Sequence, residues 1–422
     1  MTTPLGDWKA AIERGDTEAV RALFTRYPEL SDQVNAKIFA FDSTAIFCGR
    51  NNVELVDILL EHGADINEKT GWEAGGFGIL EDLPFAMAQP LIERGAVVDI
   101  WAAVSLNDKE QAVELLQQDP KLIISRGGDG KHPLHYARDI EMVDLLVSHG
   151  GIVDARCIDH GSTPLQYLIE NHDVVFRLLE HGARPDIFMA AYWGATVQAN
   201  QCITAAPDCC NARLGSGVWT HHGMGDIYKW TIGHDATPLQ VARRRQHPNF
   251  VDFILRHASP KTILTDAIWN GDRAAVDKVC RLNVDVVSQL IANDSAAMSR
   301  AAWEYNFPAV ATMLDLGFDP HKVGVHDSSP LDRAAFHGYA DIIDLLLRHD
   351  PDPPIHGKNE FGGTPVEACL HGLRHGWKTG HPQDHVESVR LLIEAGSTVS
   401  ERLLGHGNSM TDQLIKQRLA RS

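Results

Sequence analysis

The stretch VELVDILLEHGADIN, residues 53–67, decides how this chain folds. Its apolar residues recur at three- and four-residue intervals, the spacing that lays one face of an α-helix against a core. The helix must stop at Gly63, where no Cβ opposes the left-handed backbone that ends a helix. A short polar segment follows. The phrase returns as IEMVDLLVSHGGIVD (140–154), DVVFRLLEHGARPD (173–186), ADIIDLLLRHDPDP (340–353) and VESVRLLIEAGSTVS (386–400).

A second phrase precedes most copies of the first. KHPLHYA (131–137), STPLQYL (162–168), ATPLQVA (236–242), SSPLDRAA (328–335) and GTPVEACL (363–370) share one pattern. Thr or Ser caps a helix N-terminus, and Pro fits the first turn, where its missing N–H is not needed. His132 and Thr163 are 31 positions apart, and Gly63–Gly95 and Gly150–Gly182 are 32 apart. Degenerate units at 7–30, 99–122, 186–209 and 265–286 lack the capping phrase but keep two helical stretches each.

Helix, turn, helix, glycine and loop at this interval resemble the ankyrin repeat. HPLHYA and LLEHGAD stand where that family has its TPLH-x-A and LL-x-HGA-D motifs. The resemblance implies an all-α, helix-turn-helix solenoid of roughly ten to eleven units, spanning 1–422 as a single domain. Residues 402–422 would form a C-terminal cap and tail. His135 matches the family's structural histidine. His62, His149 and His181 precede the turn glycines and read as helix C-terminal structural residues.

Three insertions interrupt the pattern, near 67–85, 211–235 and 371–385. Each contains Gly and Trp. Thr163 and Thr237 are 74 positions apart, about 12 more than two units need, so the second surplus is long. The first two should project from the loop side of the stack, and the third falls at a helix–helix turn, extending either or both helices. Interruptions of a rigid scaffold are where recognition concentrates.

The second insertion carries GVWTHHGMGDIYKW, residues 217–230. His221 and His222 suit acid–base work, with Asp226 as their partner. Trp219, Tyr228 and Trp230 are walls for a ligand or partner, with His234, Trp72 and Trp377 as further contact residues. The competing reading is a loop packed on its own stack. Glu81 and Asp82 read as a solvated acidic loop. His371 and His375 share a helix face at i, i+4, and His381 and His385 follow. No acidic residue completes an HExxH pattern there, so no metal is assigned. Cys202, Cys209 and Cys210 match no common zinc spacing. Trp8, Trp101, Trp193, Trp269 and Trp303 occupy corresponding first-helix positions and read as structural.

Composition narrows the function. The formal charge of −18 disfavours phosphate backbones, so no nucleic-acid partner is expected. The opening MTTPLGDWKAAIERGD has no basic segment followed by an apolar run, so no secretory leader is expected. No apolar run is long enough for a membrane span. Seven unevenly spaced cysteines suit a reducing, cytoplasmic setting rather than a disulfide framework. There is no Walker loop, GxSxG elbow or dinucleotide signature, and no cofactor is assigned.

Two functions follow. The first is a scaffold that binds another protein through the concave face and aromatic insertions that the resemblance implies. The second is an enzyme or small-molecule binder acting on a polar, carbohydrate-like substrate by lyase, hydrolase or isomerase chemistry.

Overall fold

A computed structural model describes residues 3–215, 219, 226–233, 236–294, 296–376 and 378–421. His221, His222, His234 and Trp377 lie outside the described residues. Among those described, all regular structure is helical apart from one isolated bridge between Phe39 and Ser43. The chain divides into two compact units, Met1–His257 and Ala258–Ser422.

In the first unit, helices pair as α1 (Pro4–Glu13) with α2 (Thr17–Arg26), and α3 (Ala45–Cys48) with α4 (Val53–Glu61). Helix α5 (Phe85–Ile92) follows the first insertion, and α6 (Ile100–Ser105) pairs with α7 (Lys109–Gln118). A 3₁₀ turn at Pro133–Tyr136 stands in for the first helix before α8 (Ile140–Ser148). Then come α9 (Pro164–Tyr167) with α10 (His172–Glu180), and α11 (Ile187–Trp193) with α12 (Thr196–Ala205). Helix α13 (Tyr228–Thr231) is a single turn in the second insertion. Helices α14 (Pro238–Arg244) and α15 (Pro248–Leu255) close the unit.

The second unit pairs α16 (Pro260–Trp269) with α17 (Arg273–Leu282), followed by α18 (Val286–Asn293). Next come α19 (Ala297–Trp303) with α20 (Phe307–Asp315), α21 (Pro330–His337) with α22 (Ala340–His349), and α23 (Pro365–His375) with α24 (His385–Glu394). Helix α25 (Ser409–Leu419) packs on α24 and buries Ile415. One apolar cluster runs through this unit from Leu264 to Ile415, each helix pair covering the apolar faces of its neighbours.

The local chemistry explains the pairs. Each first helix that carries the second phrase starts with a reciprocal capping box. The N-cap amides of His132, Thr163, Thr237, Ser329 and Thr364 donate to His135, Gln166, Gln240, Asp332 and Glu367 at 2.9–3.1 Å. The second helices end in left-handed glycine: Gly63, Gly95, Gly150 and Gly182 have φ between 88° and 95°. His62 and His149 accept this geometry by bonding Nδ1 to the carbonyls of Ile58 and Leu145, each at 2.8 Å. The third insertion lengthens α23 to eleven residues. The segment after it ties back to α21, where the Asp384 amide donates to the Gly338 carbonyl at 2.7 Å.

Loops between successive pairs form fingers. The fingers at 40–43, 127–131, 157–162, 324–328 and 359–363 are closed by their own backbone bonds. The connections 93–99 and 181–186 are too short for one, so Asp99 and Asp186 serve directly as N-caps of α6 and α11.

Candidate functional site

The first two insertions answer those missing fingers. The first bridges the finger before it and the finger two units on. Gly71 donates to the Asp42 carbonyl at 2.8 Å, and Asp129 donates to the Gly75 carbonyl at 3.3 Å. Lys69 reaches Asp99, the half-buried cap of α6, at 3.0 Å. Glu81 locks the junction. It accepts from Gly78 N at 2.7 Å, Gly128 N at 3.0 Å and the Tyr136 hydroxyl at 2.7 Å. The expectation of a solvated acidic loop is therefore corrected for Glu81, which is buried because its own loop offers it the Gly78 N–H and the neighbouring unit adds the Gly128 N–H and the Tyr136 phenol. Burial pushes its carboxyl above the ordinary range, against the pull of those donors. Asp82 is half-exposed and pairs with Lys131 Nζ at 2.9 Å.

The second insertion does the same over α11. The Tyr228 side chain is fully buried, and its hydroxyl donates at 2.9 Å to Asp186, the cap of that helix. Trp219 packs edge-on against Phe188 at 4.7 Å and stacks near Tyr228 at 6.0 Å. Beyond α11 the insertion meets the 157–162 finger. Asp226 N donates to the His160 carbonyl and Ile227 N to Ser162 Oγ, both at 3.3 Å. Asp226 is 2% exposed, with one oxygen 2.5 Å from Lys229 Nζ and the other 3.4 Å from His160 Nδ1.

The two insertions thus flank adjacent fingers. Those fingers are joined where Ile158 N and Asp159 N both donate to the Asp129 carbonyl, at 3.0 and 3.1 Å. Here Asp129, Asp159 and His160 bring three ligand-type atoms within 4.8 Å of one another. These residues could hold a cation. His160 also faces Asp159 at 3.2 Å through Nε2, so both ring nitrogens lie near carboxylates. Burial raises the Asp129 carboxyl, while Lys131 and His160 pull it down. An imidazole between two carboxylates is held in orientation, and it has no nitrogen left for a substrate proton unless one partner moves.

Sequence reasoning singled out Asp226 but not His160, Asp129 or Asp159. The signal that could have found them is an acidic residue at the tip of two successive fingers, Asp129 in GDGKH and Asp159 beside His160 in DHGST. Trp230 lies at the surface, 70% exposed. Trp72 sits against Phe41 at 5.4 Å on the neighbouring finger. The histidines of the third insertion divide. His371 and His375 stay together on α23 with ring centroids 4.7 Å apart, whereas His381 lies beside Tyr305 and His385 bonds the Phe336 carbonyl at 3.1 Å. Of the five corresponding tryptophans, Trp8 is buried, Trp193 Nε1 donates to the Ile169 carbonyl at 2.9 Å, and cations lie over the rings of Trp101, Trp269 and Trp303 at 4.1–4.8 Å.

Comparison with known proteins gives a consistent family. The model of ankyrin repeats in three copies matches residues 100–189, and the single ankyrin-repeat model matches residues 44–71. No curated protein matches. Among solved structures, one similar chain is found in the complex of a predatory endopeptidase from Bdellovibrio bacteriovorus with an immunity protein. It is 23% identical, covers 41% of this chain and 97% of its own, and has a TM-score of 0.28. Among the described residues, no helix is long and apolar enough to cross a membrane.

Proposed function

This chain is an ankyrin-repeat protein, and from that premise we propose that it is a scaffold that binds another protein through its finger tips and the surface of its second insertion. Ankyrin repeats generally mediate protein binding. The observation that carries the reading is what stands at the tips. Phe41, Ile158, Val325 and Phe361 are large apolar residues on four separate fingers, and each is more than half exposed. Scattered apolar residues need no explanation, but their recurrence at one structural position does. Trp230 adds an aromatic anchor of the kind that dominates interface energy. Trp219, Tyr228 and Asp226 support that surface from beneath, because they are buried.

The test is site-specific photo-crosslinking in cells that make the protein. A photoreactive residue at 158 or 230 should capture one discrete partner. The same residue at 141, on the exposed side of α8, should not. The proposal fails if neither 158 nor 230 captures a partner, or if 141 captures the same one.

A second reading is a polar-ligand or catalytic site using His221, His222 and Asp226. One observation favours it: a buried carboxylate, a lysine and a histidine converge at Asp226, beside the cation-sized cluster of Asp129, Asp159 and His160. Asp226→Asn decides its standing. Lost thermal stability with no effect on ligand binding makes Asp226 a clamp for the insertion. Retained stability with lost binding makes it a ligand contact.

A further inference from the structure

The second unit holds a cavity of about 700 Å³ between its inner helices, its fingers at 324–328 and 359–363, and the segment 402–406. Of its lining residues only Phe361 also belongs to the apolar finger tips, whose partner binding is tested at 158 and 230 in the first unit. Its floor is a run of rings on three successive inner helices. Trp303 on α19 stacks with Phe336 on α21 at 5.7 Å and 22°. Phe336 meets His371 on α23 at 6.1 Å, and His371 meets His375 at 4.7 Å. Phe361, 77% exposed, stands at the mouth from the finger side. A floor of this kind accepts a flat ring by offset stacking.

The walls carry three guanidiniums, Arg333, Arg374 and Arg402, against two carboxylates, Asp332 and Glu367. Arg333 lies 4.6 Å over the Trp303 ring, with one nitrogen bonded to the Val325 carbonyl. Arg374 is anchored by the Gly405 carbonyl at 3.1 Å. Neither bond neutralises a guanidinium, and each leaves donors to spend. The carboxylates in the lining are occupied elsewhere. Glu367 accepts from Thr364 N at 2.9 Å and pairs with Arg402 at 2.5 Å. Asp332 gives one oxygen to Ser329 N and Oγ at 3.0 and 2.7 Å. On a chain of net charge −18, two guanidiniums without carboxylate hydrogen bonds beside two imidazoles are a local reversal of sign.

A third feature asks for a donor. The other oxygen of Asp332 is buried and has no hydrogen-bond partner among the described residues. A buried acceptor left unmatched costs roughly 1–3 kcal/mol, so a group that satisfies it on binding gains affinity. The volume lies within the range of about 300–1,000 Å³ typical of small-molecule sites.

We propose that this cavity binds a small planar aromatic anion that also carries an N–H or O–H donor. The ring stacks on Trp303, Phe336 and His371, the anionic group meets Arg333 and Arg374, and the donor meets Asp332.

The test uses the full chain and three probes followed by calorimetry. Indole-3-acetate has ring, charge and donor; indole-3-ethanol lacks the charge; 1-naphthaleneacetate lacks the N–H. Indole-3-acetate should bind with Kd below roughly 1 mM, and each deletion should weaken it, the charge by at least about tenfold. Arg374→Gln and His371→Ala should each weaken indole-3-acetate by about fivefold or more, while Arg348→Gln on α22 should not. Unchanged melting temperatures confirm that these variants fold. The proposal is overturned if indole-3-ethanol binds as well, if neither variant changes affinity, or if no probe binds at roughly 5 mM. It is equally overturned if an acidic aromatic peptide binds and indole-3-acetate does not, since the cavity then belongs to a protein partner.

Discussion

His135 shows how much one side chain can decide. Its Nδ1 accepts from the His132 amide at 3.1 Å, so the proton sits on Nε2, which donates to the Ser162 carbonyl at 3.1 Å. Only the neutral ring does both. Burial pushes its pKa down from 6.5 to about 3. The sign follows. Between those values the unfolded chain binds a proton that the folded chain refuses, so stability is full above 6.5 and falls as pH drops. The loss should be about 1.4 kcal/mol per pH unit, or about 2 kcal/mol at pH 5. Gln166 and Gln240 close the same box in other units without titrating. His135→Gln should therefore be nearly neutral at pH 7.5 and remove one proton's worth of slope, read by urea unfolding at several pH values.

At the scale of elements, two contacts set the packing. Glu81 joins the first insertion to the next finger through three hydrogen bonds. Glu81→Ala leaves three donors unmatched and should cost about 3 kcal/mol. Hydrogen exchange at Gly128 and Gly78, whose amides donate to Glu81, should quicken before the helices do, and unchanged exchange there would refute the lock. The second contact is Gly372. A Cβ there would fall 1.7 Å from the Phe336 carbonyl oxygen, so α21 and α23 can approach only over glycine. Gly372→Ala should destabilise the second unit by about 3 kcal/mol in thermal unfolding and disturb the ring floor of the cavity.

For the whole molecule, acid is the revealing variable. His337 is pushed down to about 4 by burial and by the cations near it, and His132 and His385 are lowered for the same first reason. At pH 5 the parent chain should take up about one proton more on unfolding than His135→Gln does, measured by calorimetry in buffers of different ionisation enthalpy. Equal uptake by the two would mean that the His135 ring is charged in the fold. The helices, their caps and their glycine stops were legible because they repeat, and repetition is local. The site was less so. Asp226 could be named, but its partner His160 lies 66 residues away on another finger. Nor could the sequence say that 93–99 and 181–186 leave gaps, since what fills a gap depends on which loops are long enough to reach it. Glu81 was misread for that reason: the donors that bury it come from Gly128 and Tyr136.

The finger tips hold one further consequence. Phe41, Asp129 and His326 sit at φ of 59°, 58° and 61°, a backbone region that glycine enters freely and other residues enter at a cost of about 1–2 kcal/mol. Glycine at these three positions should make the protein harder to melt. If tips are what a partner touches, the same sturdier variants should hold it less well, so resistance to heat and grip on a partner would move in opposite directions along one short series of substitutions.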